Sequence, residues 1–335
     1  MTSAPESGVG EGGFRARAGA LTLLYLTTSM KREVLRPLLA EAATGVKLVD
    51  KEDLPNPDDP VDYEIIVDPY LVEPADPEHG PDEPIGPDTL LQPTPAGHEV
   101  PFVAGVLQEW LNRGPDGSTE LGPEAGPALW ALLSGWSSTA VHAFAAGPRT
   151  AAEASDAIQI LDREIVEAHI AAMVETGLLV ALRRPEGAEQ QFAVTDWLRA
   201  AVAPLAVAAR MELRHPPGDT APISALDVEA AFQLTLPLLE LPPDLHGCCS
   251  LAVELDEGVV DSPSGVTAKV DRGRVLSCEA RLDEEADARA SATAPDWLEM
   301  VIEGDAGEAS TGGDARIAGA LLQGLHETLF GAEQG

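Results

Sequence analysis

The sequence predicts an α+β protein, mostly helical up to about residue 215 and mixed beyond it. Three observations carry this. Between residues 127 and 214, apolar positions recur at helical spacing, interrupted once by two short strand-like runs. Beyond residue 223, alternating segments cluster together with helices around them, the pattern of a sheet covered on one side. Apolar residues make up 44% of the chain and aromatics only 4%, so the cores are built mainly from Leu, Val and Ala. A chain of 335 residues holds two or three domains at roughly 100–200 residues each.

The elements follow in order. Residues 1–13 form a polar, Gly-rich tail. Residues 18–43 read as a helix with Leu21, Leu24, Leu35, Leu38 and Leu39 on one face, kinked or broken at Pro37. The stretch 50–88 is dense in Pro and Asp and reads as loop, apart from a short strand at Tyr63–Val67. A helix over 98–113 ends in Trp110 and Leu111, and a Gly/Pro-rich linker follows.

One helix is expected over 128–145, closed by Gly147 and Pro148. A short one starts near Thr150, which forms a capping box with Glu153. A third spans about Asp162 to Glu175, with Gly177 as its C-terminal stop. Its expected inward stripe is Ile165, His169, Ile170, Met173 and Val174. LLVALRR, a polar tip and QFAVT read as a hairpin, and a last helix over 196–213 has Asp196 as its N-cap. Beyond these come a helix over 227–241, the strands CSLAVEL, GVTAKV and VLSCEARL, turns at 256–258 and 271–273, and helices over 295–304 and 315–330.

Net charge is -35. Residues 1–123 carry 8 basic and 22 acidic side chains, residues 124–220 carry 7 and 12, and residues 221–335 carry 6 and 22. Phosphate backbones are repelled by such a surface, so any nucleic-acid contact is local, and the middle segment is the least hostile place for it. No apolar run is long enough to span a membrane, and no signal peptide opens the chain, which places the protein in the cytoplasm. Cys248, Cys249 and Cys278 lack metal-ligand spacing and read as reduced thiols in or near a core. GVGEGG at 8–13 has no strand before it, and SPSG at 262–265 is no nucleophile elbow. No catalytic residue, metal or cofactor is therefore assigned, and a non-enzymatic role is expected.

GPALWALLSGW, GPRTAAEA, LDREIVEAHIAAMVETGLLVAL and FAVTDWLRAAVAPLA resemble the successive elements of an HxlR-type winged-helix (helix-turn-helix) regulator over residues 124–215. LQPTPAG at 91–97 resembles the same family's junction between wing and last helix, and Thr94 then corresponds to Thr195. GALTLLYLTTSMKREVLRPL echoes the first helix, so residues 14–113 resemble a degenerate second copy with a lost or shortened recognition element. LAVELDEG, VTAKVDRGRVLSCEARL, TAPDWLEMVIEGD and GGDARIAGALLQGLHETLF resemble a sterol-carrier-like domain over 222–331. Asp287, Trp297, Gly304, Asp305, Gly313 and Asp314 follow its pattern.

The resemblance implies a DNA-binding transcriptional regulator, acting as a homodimer on double-stranded DNA, whose last domain senses an apolar small molecule or holds the dimer. The alternative is a small-molecule or protein-interaction module that has given up DNA. In a winged helix the third helix enters the major groove and the wing touches backbone. The implied contact set is Arg163 and His169 on that helix, Arg183 and Arg184 on the wing, and Arg149 at the start of the second helix. Against it, Asp162, Glu164 and Glu167 crowd Arg163, and solvated surface charge explains the same residues. Lys31, Arg32 and Arg36 cluster on the first helix and read as a solvated face. Phe232, Leu236, Leu239, Val253, Val266, Val270 and Trp297 are the candidate lining of an apolar ligand pocket, or simply core filling.

Overall fold

The computed structural model describes residues 72–74, 91–115, 125–158, 161–185, 187–216, 223–254, 264–305, 307 and 309–331. The expected tail, the helix over 18–43 with its basic cluster, the strand at Tyr63–Val67, the missing recognition element of the first copy and the turn at 256–258 lie outside these residues.

The chain is α+β. Strands β1 (Val72–Pro74) and β2 (Leu91–Pro93) pair antiparallel. Thr94 follows and caps α1 (Pro95–Asn112), its side chain accepting from Gly97 N at 3.1 Å. The middle unit runs α2 (Gly126–Ser137), α3 (Ala140–Ala145), β3 (Arg149–Thr150), α4 (Ala151–Ile158), α5 (Arg163–Glu175), β4 (Leu179–Leu182), β5 (Gln191–Val194), α6 (Asp196–Ala200) and α7 (Val202–Arg214). Its three strands lie antiparallel in the order β3-β5-β4, so the strand before α4 joins the hairpin after α5. The reciprocal capping box is present: Glu153 N donates to Thr150 Oγ1 and Thr150 N to Glu153 Oε2.

Four local expectations are corrected. The helix expected over 128–145 is broken at Ser138–Thr139, where Thr139 has φ of +63°, an unusual conformation for a β-branched residue. The last helix is interrupted at Ala201, and its N-cap is Thr195 rather than Asp196: Thr195 Oγ1 accepts from Leu198 N at 3.2 Å. On α5 the buried stripe is Val166, Ile170 and Met173, while Ile165 is 44% exposed. Ile170 and Met173 are buried as expected, and Val166 is buried in place of Ile165, since periodicity alone tolerates a shift of one residue. Arg149 does not open the second helix but sits in β3, paired with Phe192.

The C-terminal unit starts with α8 (Ala225–Thr235), where Ser224 and Asp227 form a capping box, and a short 3-10 turn at Leu236–Leu238 ends it at Pro237. Five strands follow: β6 (Gly247–Glu254), β7 (Ser264–Asp271), β8 (Arg274–Glu279), β9 (Ala288–Thr293) and β10 (Ser310–Gly313), with α9 (Ala294–Glu303) before β10 and α10 (Ala315–Phe330) after it. The sheet order is β10-β9-β6-β7-β8, antiparallel except for the central β6–β9 pair. β3, β9 and β10 carry no strong alternation of large apolar residues, so the sequence gives no strand signal for them. β9 is ARASAT, whose inward side chains are all alanines.

α7 lies at the centre. Every residue from Val202 to Glu212 is buried, because α1 packs on one side and α8, α9 and α10 on the others.

Candidate ligand cavity and candidate nucleic-acid face

A cavity of about 90 Å³, partly open to the surface, lies between α7 and the helices of the C-terminal unit. Its walls are Val202, Leu205, Ala206 and Ala209 of α7, Val228, Ala231 and Phe232 of α8, Trp297, Leu298 and Val301 of α9, and Leu325 and Leu329 of α10. Trp136 from the end of α2, Ile223, Asp227 and Thr235 complete it. The small side chains on α7 make the space: Ala206 and Ala209 stand where larger residues would fill it.

Its few polar groups are internally engaged. Asp227 Oδ1 accepts from Trp136 Nε1 at 3.0 Å and faces His142 Nε2 at 3.0 Å, and a carboxylate only accepts, so that ring nitrogen carries the proton. Oδ2 accepts from Ser224 N at 3.1 Å and Ser224 Oγ at 2.6 Å. Thr235 Oγ1 donates to Ala231 O at 2.7 Å. Trp297 meets Phe232 edge to face at 5.0 Å and donates from Nε1 to Ala252 O at 2.9 Å.

Of the seven expected pocket residues, Phe232 and Trp297 line this cavity. The other five do not: Leu236, Leu239, Val253, Val266 and Val270 are buried in the core outside it. Sequence patterning finds buried positions but not the empty space between two units. Asp227 escapes a sequence search for site residues, although S-x-x-D at 224–227 is legible as a helix start.

The nucleic-acid candidates divide. Arg163 is exposed but held by Glu167 one turn on, Nε to Oε1 at 2.7 Å. Asp162, Glu164, Glu167 and Glu175 share the exposed surface of α5. His169 is turned inward: its Nδ1 lies 2.8 Å from Ser138 Oγ, beside the break between α2 and α3. Burial holds its pKa below the ordinary value of 6.5. His169 is thus held by one ring nitrogen against the start of the α2–α3 break and is only partly buried. Arg183 and Arg184 are exposed at the end of β4, and Arg184 donates to Gln191 Oε1 at 2.8 Å. Arg149 sits on β3, on the other side of β5, half-buried. Among the described residues, none of Arg149, Arg183 and Arg184 has a carboxylate within 4.0 Å. Glu153 is close enough that Arg149 and Arg184 help to lower its pKa, after its hydrogen bond from Thr150 N.

No helix among the described residues is long and apolar enough to cross a membrane. No family model, curated protein or solved structure matches the chain.

Proposed function

We propose that this protein is a small-molecule-binding module derived from a winged-helix regulator, with a neutral apolar ligand seated between its winged-helix unit (residues 124–215) and its sterol-carrier-like unit (residues 222–331). The observation that carries this is the cavity between α7 and α8–α10, apolar on nearly every wall and with its polar groups already hydrogen-bonded. A charged or strongly polar ligand finds no partner there, whereas an apolar one gains about 25 cal/mol per Å² buried. Known dry cavities of about 150 Å³ take benzene, so this space seats a short chain or ring edge, with the remainder in the open mouth. A ligand there touches both units, and binding that favours one arrangement of them is the basis of regulation.

The second reading, a DNA-binding transcriptional regulator, is favoured by Arg149 on β3 and by the exposed Arg183 and Arg184 just past β4 of the same sheet, none of which has a carboxylate within 4.0 Å among the described residues. The acidic surface of α5 opposes it, because a reading helix with its one arginine tied to Glu167 has little to offer a base edge.

Titration with a neutral apolar dye such as N-phenylnaphthylamine tests the first reading. Saturable binding is expected, weakened about tenfold or more by Ala206→Phe, which fills the cavity, in a variant whose thermal melt stays cooperative. Equal dye affinity in the folded variant and the parent would overturn it.

A further inference from the structure

We propose that α1 and α6–α7 are the two halves of a dimer interface fused into one chain, so that α1 takes the place a second molecule would occupy and the protein is monomeric. The repeat is visible in the backbone. Thr94 and Thr195, 101 positions apart, are both extended N-caps accepting from the backbone N–H three residues on. Each follows the second strand of an antiparallel hairpin, with Val72 opposite Pro93 in one and Leu179 opposite Val194 in the other. Each opens a helical stretch of almost equal length, ending at Asn112 in one copy and Arg214 in the other.

The contacts between the copies have the pattern of a two-fold. Trp110 stacks on Trp197 with ring centroids 4.8 Å apart and planes 10° apart, and each indole N–H donates to the other's carbonyl at 2.9 Å. At the far end, Glu99 meets Arg214 at 3.9 Å and His215 at 2.9 Å, and Arg210 lies 5.3 Å from the Phe102 ring centre. By the 101-residue spacing, Arg214 is the counterpart of Arg113, Arg210 of Glu109 and Trp197 of Ala96. Each of these contacts therefore pairs positions of the repeated helix on opposite sides of a common centre, near Val103 to Val106 and the matching stretch of α7. Antiparallel pairing of equivalent helices about a common centre is the arrangement of an isologous interface, in which the same patch serves both partners.

The rest of α7 closes the alternative. With Val202 to Glu212 all buried under α1, α8, α9 and α10, that helix has no face left for a second chain.

Light scattering coupled to gel filtration tests this on the full chain carrying a protease site between Pro115 and Ala125. The intact protein is expected at 35.0 kDa from low to high micromolar concentration. After cleavage the two pieces are expected to stay together at the same total mass, and Val106→Glu is expected to let them part. A dimer of the intact protein, or separation of the cut pieces without any substitution, would overturn the proposal, and neither result depends on the variant folding.

Discussion

His169 shows how one side chain changes meaning once its neighbours are known. By sequence it is expected on the third helix of a DNA-binding unit; in the structure its Nδ1 lies 2.8 Å from Ser138 Oγ, beside the left-handed Thr139 between α2 and α3. Burial disfavours its charged form, so the folded protein takes up a proton at lower pH than the unfolded chain does. Stability from this group is complete above the ordinary value of 6.5 and is lost as pH falls below it, because the unfolded state then binds the proton first. Urea denaturation at about pH 8 and about pH 5.5 is expected to show a larger loss in the parent than in His169→Gln. An equal loss in both proteins would remove His169 from that balance. Asp227 joins the two units beside the cavity, its two oxygens meeting Trp136 of α2, His142 of α3 and Ser224 at the start of α8.

At the scale of elements, caps and turns decide where regular structure stops. Arg199 on α6 donates to Gln233 O and Leu234 O, carbonyls at the end of α8 that the helix cannot satisfy, and thereby docks the C-terminal unit on the middle one. The turn between β7 and β8 needs glycine for two reasons. Gly273 has φ of +71°, and a Cβ there would stand 2.2 Å from Leu241 O. The backbone comes that close because Leu241 N donates to Gly273 O and Gly273 N to Leu245 O. Gly273→Ala is expected to cost about 2 kcal/mol or more, from a strained dihedral together with a displaced loop. Denaturant midpoints with an unchanged slope would measure it. The same change at Gly319, whose Cβ would meet nothing within 4 Å on helix α10, is expected to be neutral or slightly stabilising.

For the whole molecule, charge argues against nucleic acid, and the wing arginines mark where binding survives if there is any. A net charge of -35 repels phosphate at long range, and low salt leaves that repulsion unscreened. Under the proposed ligand-binding role, a gel shift with genomic fragments is expected to retain no DNA at low salt. If a fragment is retained, the second reading stands. Arg183→Ala with Arg184→Ala should then weaken binding evenly across sequences and reduce the salt slope by about 2, one for each arginine withdrawn from a phosphate. Arg163→Ala should change little, because its guanidinium is already engaged by Glu167.

Local sequence is enough to specify the α+β class, the order of the main helices, the wing-like hairpin, the Thr150–Glu153 box and the turn at 271–273. Each of these rests on neighbours a few residues apart, where spacing and turn chemistry act. The same local rules place Ile170 and Met173 of the α5 stripe correctly but take Ile165 for Val166, and they run α2 and α3 together. They also pass over β3, β9 and β10, whose short or alanine-rich strands are held by partners distant in the chain. The cavity emerges only from tertiary packing, since a void is set by which elements face each other and by the two alanines of α7 that fail to fill the gap. The same is true of Trp110. In sequence it ends a helix, and only packing places it on Trp197, 87 positions away, where the two rings stack.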